Sequence, residues 1–222
     1  VRAAGELAPR AAKLLEHEAG RADAARAIWR SIRDAFQTTE SLAEVARLDR
    51  VVGDWHALAR SLELRATVEE GEIALATRVE AAEVMDLRLG EVPAALAVLR
   101  AVLTDAPRFE PARTAVVRVL RREGRWEELA SQLEAWLRKE RGRDAKSALS
   151  RQLAEVLDKA DRTPEAARRF SQCAADATGD AELMDAAEEF WRRRSESDPG
   201  LPELGELRGV LEKACVEAED WK

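Results

Sequence analysis

The sequence predicts an all-α protein, an α-solenoid of about twelve helices joined as antiparallel pairs. Three observations lead there. Ala, Leu, Glu and Arg dominate a chain with no Tyr and no Asn, and these are strong helix formers. Gly and Pro punctuate the chain at short intervals, and between them apolar residues fall at i, i+3, i+4 and i+7. The punctuation itself recurs with a period in the thirties, the mark of a helical repeat array. With 46% apolar and 36% charged residues the chain has enough greasy surface to fold rather than stay disordered.

The helices follow in order. The first is predicted over 6–18, closed by Gly20, and the second over 21–36. Then come 40–52, closed by Gly53, 54–70, closed by Gly71, and 72–89, closed by Gly90. Glycine suits the residue just past a helix because it adopts the left-handed conformation without a Cβ penalty. The next two, 91–105 and 108–123, carry Pro93 and Pro111 in their first turns and lead to Gly124. Proline is tolerated there because its missing N–H has no partner in a first turn. Helices 125–141 (closed by Gly142), 143–160, 163–177 (closed by Gly179), 180–195 and 202–220 complete the chain, with Pro164 and Pro202 near two of the starts. Every connection is short, so sequential helices pair antiparallel.

Gly20, Gly53, Gly90, Gly124 and Asp161 hold the same place before a following helix, at spacings of 33, 37, 34 and 37. After three of them the same pattern recurs: Ala25, Trp29, Ile32; Ala95, Leu99, Val102; Ala166, Phe170, Cys173. A small residue lets the paired helix approach, and a large one fills the gap to the next hairpin. By this register Ala95 faces a neighbouring helix and Ala94 does not. The other two repeats share a second pattern, GDWHALARSL at 53–62 and GRWEELASQL at 124–133, 71 residues apart. AEVMD at 82–86 is echoed by AEVLD at 154–158. A duplicated two-hairpin block of about 71 residues is expected, within one repeat domain covering 1–222.

Gly90, Ala95, Leu99, Val102 and Pro107, at this period, resemble a tetratricopeptide repeat. The resemblance is closest at 90–107, weaker at 20–36 and 161–177, and degenerate in the two Trp repeats. Val117 stands where the family has a small residue in the first helix of a pair. The resemblance implies a right-handed superhelix of helix pairs that binds peptides or proteins in a groove lined by first helices. A lone hairpin cannot bury its apolar face, so the repeats must stack.

Nothing in the sequence assembles a catalytic site, and no cofactor or metal is expected. His17 and His56 are the only histidines, and HEAG at 17–20 lacks the second His of a zinc-protease helix. Cys173 takes the place of Ile32 and Val102 and is expected in the core; Cys215 lies far from it, with no CxxC. The six tryptophans are expected to pack, Trp29, Trp55 and Trp126 because they sit at repeat positions, with Trp136, Trp191 and Trp221 less constrained.

Arg118, Arg121, Arg122 and Arg125 are spaced to share a helix face, which stacks like charges. One explanation is a groove site for an acidic segment; the resemblance puts Arg118 and Arg121 on a first helix, with Arg47, Arg151 and Glu155 in comparable places. The plainer one is that arginines suit a helix C-terminus and are neutralised by Glu127 and Glu128 at the next helix start, and it carries more weight because such ion pairs are common. The residue pattern by which chaperone-tail-binding members of the family grip their ligand is absent.

The expected function is therefore a non-catalytic scaffold that binds a protein or peptide, with Arg47, Arg118, Arg121, Arg151 and Glu155 as candidate contacts. A structural spacer that self-associates through terminal hairpins is the first alternative, and a helical-repeat RNA binder the second. A net charge of −7 opposes a broad nucleic-acid surface. No apolar stretch reaches the roughly 20 residues of a membrane span. Cysteine usage fits a reducing cytoplasm, and the balance of Arg over Lys with abundant Ala fits a bacterial source. Starting at Val1, the chain is expected to be a segment of a larger protein.

Overall fold

The computed structural model describes residues 2–17, 20–176 and 181–219. Among these residues the chain is helical throughout, with no strand. It runs α1 (Arg2–His17), α2 (Ala22–Phe36), α3 (Thr39–Val52), α4 (Trp55–Val68), α5 (Gly71–Val84), α6 (Val92–Asp105), α7 (Glu110–Arg122), α8 (Trp126–Lys139), α9 (Arg143–Lys159), α10 (Thr163–Asp176), α11 (Ala181–Ser197) and α12 (Pro202–Glu219). The helices form two compact units, Val1–Val119 and Leu120–Lys222, with the boundary inside α7. In the first, each of α1 to α5 packs on the helix that follows it. In the second, α8 to α11 do the same, and α10 also packs on α12.

The five positions equated by spacing share one turn. Gly20, Gly53, Gly90, Gly124 and Asp161 have φ of +61°, +79°, +70°, +66° and +57°. After each, the next backbone N–H reaches back to a carbonyl in the preceding helix: Arg21 to Leu15, Asp54 to Asp49, Glu91 to Met85, Arg125 to Leu120 and Arg162 to Leu157, at 2.8–2.9 Å. This closes the helix and aims the chain back antiparallel. Aspartate is among the few side chains that tolerate such a φ, which is how Asp161 replaces a glycine. Two other glycines differ from expectation. Gly71 opens α5 rather than closing α4, and Gly142 is the extended N-cap of α9 with φ −70°. Gly179 and Trp221 lie outside the described residues.

The repeat pattern is the core. Ala25, Ala95 and Ala166 are fully buried, and so, within a few per cent, are Trp29, Leu99, Phe170, Val102 and Cys173. Ala94 is exposed, which fixes the register. Trp29 sits among Ala12, Ala25, Val45 and Leu48, joining α1, α2 and α3, with half-buried Ile32 against them. In the second unit Phe170 of α10 meets Phe190 of α11, ring centroids 4.8 Å apart. Val117 is half-buried, and Ala112 and Ala115 supply the small buried residues of α7.

The helix expected to run unbroken to residue 89 changes character. After α5 the residues Met85–Leu89 are π-helical before Gly90. A π turn takes in an extra residue without leaving the helix. Here it also brings the Arg88 guanidinium over the Trp55 ring, 4.6 Å from its centroid.

Candidate partner-binding surface

All five candidate residues lie on helices that precede one of the five shared turns: Arg47 on α3, Arg118 and Arg121 on α7, Arg151 and Glu155 on α9. Each arginine among them meets a carboxylate of the protein itself. Arg47 grips Glu16 of α1 with two N–H groups, at 2.7 and 2.5 Å, and also reaches Glu44 at 2.8 Å. Those bonds hold the Glu16 carboxyl below its ordinary range and raise the guanidinium's affinity for its proton. Arg118 donates to Glu83 at 2.8 Å and Arg151 to Glu182 at 3.1 Å, while Arg121 stands 3.5 Å from Glu155. The rest of the arginine run is paired too, Arg122 with Glu123 and Arg125 with Glu128. Glu127, expected to neutralise that run, lies 3.5 Å from Arg162 instead.

In the first unit a shallow cleft of about 450 Å³ lies between α5 and α7, with Val79 and Pro111 in its walls and Glu80, Glu83, Glu110 and Arg118 around it. In the second unit the structure brings Arg121 and Glu155 together at a cleft of about 330 Å³. Its walls include Trp126 of α8, Phe170 of α10 and Phe190 of α11, and Lys159 and Glu189 stand on its rim. Arg151 is elsewhere, in a broader cleft of about 950 Å³ with Arg143, Lys146 and Arg169. Arg47 lines neither of these second-unit clefts nor the one between α5 and α7.

Trp126, expected to pack as Trp55 does, is half-buried like Trp55, and it forms part of a cleft wall. Its recurrence at the repeat spacing concealed this, because recurrence reports the position in a hairpin and not what covers it. The buried Asp158 was also not singled out. It accepts from Arg193 and, at 2.6 Å, from Arg194, so α11 is tied to the end of α9. AEVLD at 154–158 held that signal, since an acid at the end of an apolar helix face needs a cation.

Chemistry-bearing side chains are scattered. His56 is exposed, its Nδ1 3.9 Å from Glu91. Cys173 is buried, which pushes its thiol up, away from the reactive thiolate. The Cys215 side chain lies outside the described residues. Among the described residues no group of three or more His, Cys, Asp or Glu could hold a metal ion, and no helix is long and apolar enough to cross a membrane.

No family model matches the sequence, and no curated protein matches it. Solved structures do. The chain is similar to the C-terminal part of a TPR repeat-containing protein from Cytophaga hutchinsonii, with a TM-score of 0.54 at 10% identity, over 94% of this chain and 80% of that one. The fold is a tetratricopeptide-like helical repeat. Weaker similarity extends to a thermophilic TPR protein of Thermus thermophilus, with a TM-score of 0.42 at 21% identity over 83% of this chain and 97% of that one. It extends also to the TPR2AB domain of yeast Sti1 in a complex with pHSP90, with a TM-score of 0.37 at 11% identity over 97% and 100%. At identities this low the likeness concerns the course of the helices. The tetratricopeptide-like pairs here run α1/α2 through α11/α12, each pair turning at a left-handed residue or, for the last, at residues 198–201.

Proposed function

We propose that the protein is a non-catalytic protein-interaction scaffold whose second unit receives a partner segment in the cleft walled by Trp126, Phe170 and Phe190. One observation carries this. The cleft sets half-buried Trp126, with Phe170 and Phe190 buried beneath, beside two charges that the fold leaves available: Lys159 and Glu189 have no ion-pair partner among the described residues, while Arg121 and Glu155 pair with each other at 3.5 Å. An apolar anchor on the partner would fill the centre, and the rim would select its flanking charges. Arg47 and Arg118 are not part of this surface; in the first unit they tie α3 to α1 and α7 to α5 through their own carboxylates.

The test is a random-peptide display selection on the immobilised protein, followed by affinity measurements on the selected peptides. Ala186→Trp fills the cleft from α11 and should weaken binding by roughly tenfold or more, the loss of about 1.4 kcal/mol or above. Ala94→Trp, on an exposed face of α6, should leave it unchanged. Equal affinities for the two variants would place the partner elsewhere.

Self-association is favoured by a separate observation. Leu7 and Leu14, seven residues apart on one face of α1, are 62% and 53% exposed. If that face pairs two copies, sedimentation shows a dimer that Leu7→Glu with Leu14→Glu returns to monomer. A monomer at all concentrations removes that reading.

A further inference from the structure

The second unit carries a basic corner that the cleft does not use. Between Arg138 and Arg151 the chain has six basic residues and two acidic ones, although its net charge is −7. The stretch runs through the end of α8 and the first turns of α9. Elsewhere many of the arginines are tied to carboxylates, often across helices. Here Arg138, Lys139, Arg141, Arg143 and Lys146 have no carboxylate partner among the described residues. One of the two acids is already engaged: Glu140 accepts from the backbone N–H groups of Arg141 and Gly142, at 2.9 and 3.3 Å. Arg143 and Lys146 stand in the wall of the 950 Å³ cleft with Arg169 of α10 and with Arg151, which Glu182 engages at 3.1 Å; Asp144 and Asp176 line it too, so the cations there outnumber the acids four to two. The hydroxyls of Ser147 and Ser150 line the same space.

Unpaired like charges held close together cost free energy in the free protein. A ligand that neutralises them recovers that cost and adds charge-assisted hydrogen bonds from guanidinium and hydroxyl donors. We infer that this α8–α9 corner, with Arg169 opposite, is a docking surface for a short acidic polypeptide segment. The shared chemistry is a run of carboxylates or phosphoryl groups. A polypeptide fits better than a nucleic acid. A few acidic residues stay within the basic corner, whereas a continuous phosphate backbone must run on across a protein of net negative charge.

Fluorescence anisotropy tests this with three labelled probes of equal length: an octamer rich in glutamate, the same octamer with two phosphoserines, and an oligothymidylate. Both peptides should bind at low salt and weaken roughly tenfold as salt rises to several times physiological, since exposed pairs are screened. A greater affinity for the phosphorylated octamer makes phosphoryl groups the natural ligand, and a lesser one makes carboxylates so. Arg143→Glu with Lys146→Glu should abolish measurable binding. Lys13→Glu with Arg60→Glu makes the same change in net charge at exposed sites in the first unit and should leave binding within about twofold. Circular dichroism confirms that both variants remain helical. Ala186→Trp should have no effect, which separates this surface from the aromatic cleft. The inference is overturned if neither peptide binds, if the two double variants weaken binding equally, or if the oligothymidylate binds more tightly than both peptides.

Discussion

Trp55 and Trp126 open two helices in ten-residue stretches that share Gly, Trp, Leu, Ala and Leu, 71 apart, yet their surroundings differ. Trp55 lies beneath Arg88, brought there by the π-helical turn before Gly90. Trp126 faces a cleft. The turns beside them match bond for bond: Asp54 N–H to the Asp49 carbonyl in one, Arg125 N–H to the Leu120 carbonyl in the other. The side chains at those matched places do not match. Asp49 is wholly buried and accepts from Arg30 at 2.8 Å, Arg26 at 3.4 Å and Ser61 at 2.7 Å. Its counterpart Leu120 packs as a plain core residue, with Gln132 in the place of Ser61. Asp54 caps α4 by accepting from Ala57 N–H at 3.1 Å, and Arg125, in the same place before α8, pairs with Glu128 instead. One turn therefore supports two kinds of hairpin, a polar one locked by a buried carboxylate and an apolar one with an open flank.

Exchanging the buried side chains should break the comparison most severely. Leu120→Asp places a carboxylate where no arginine pair waits, and should cost about 4 kcal/mol in urea unfolding at pH 7. The penalty should shrink on acidification, because a proton neutralises the buried group. Asp49→Ala removes the buried acceptor and leaves Arg26 with the more exposed Asp54 and Asp23 and Arg30 with Asp54, and should cost about 3 kcal/mol. If either change is silent, the two turns are interchangeable and the difference between the hairpins lies elsewhere.

The tryptophans should separate function from stability. Trp55→Ala should lower stability by roughly 2 kcal/mol, through lost burial and the lost cation–π contact, and leave peptide binding intact. Trp126→Ala should reduce affinity for a selected peptide by about tenfold. The reverse pattern would make Trp55 the functional one.

The cap sharpens the comparison further. Asp54→Ala should cost about 1 kcal/mol, and the same test at Arg125 should cost less. The bond from Ala57 N–H, and then Arg26, hold the Asp54 carboxyl below its usual range. A carboxyl depressed in the folded state stabilises fully above its unfolded value of about 4, and that contribution fades as pH falls through the folded value. The stability gap between wild type and Asp54→Ala should therefore be flat from pH 7 to about 5 and close below about 4. A gap that widens in acid contradicts the cap.

The smallest effect concerns the turn itself. With φ of +57°, Asp161→Gly should change stability by less than about 0.5 kcal/mol, whereas Asp161→Ala should cost about 1 kcal/mol. Equal melting temperatures for the two variants would show that the left-handed turn is not required there.

Helix boundaries, the hairpin register and the five shared turns were legible because each rests on local chemistry. Glycine at positive φ, proline in a first turn and an apolar stripe at helical spacing act within a few residues of one another. The candidate site was legible only in part. Arg121 and Glu155 do meet at a cleft, but nothing in the spacing of Arg47, Arg118 or Arg151 shows the carboxylates that engage them, since Glu16, Glu83 and Glu182 lie 31 to 35 residues away. The basic corner at 138–151 was present as composition, and what makes it notable is the lack of partners around it.

By itself, then, the sequence determined the all-α class, the order of the helices, the places where the chain turns back and which small and large residues fill the core. Periodicity suffices for these because burying one face of each helix is favourable wherever the next hairpin lies. Only the tertiary structure decided which charges are cancelled and which are left over, what each of two like, half-buried tryptophans faces, and where α5 gives way to a π turn. Those depend on side chains that meet across tens of residues, and an ion pair or an open cleft exists only once the helices have been placed.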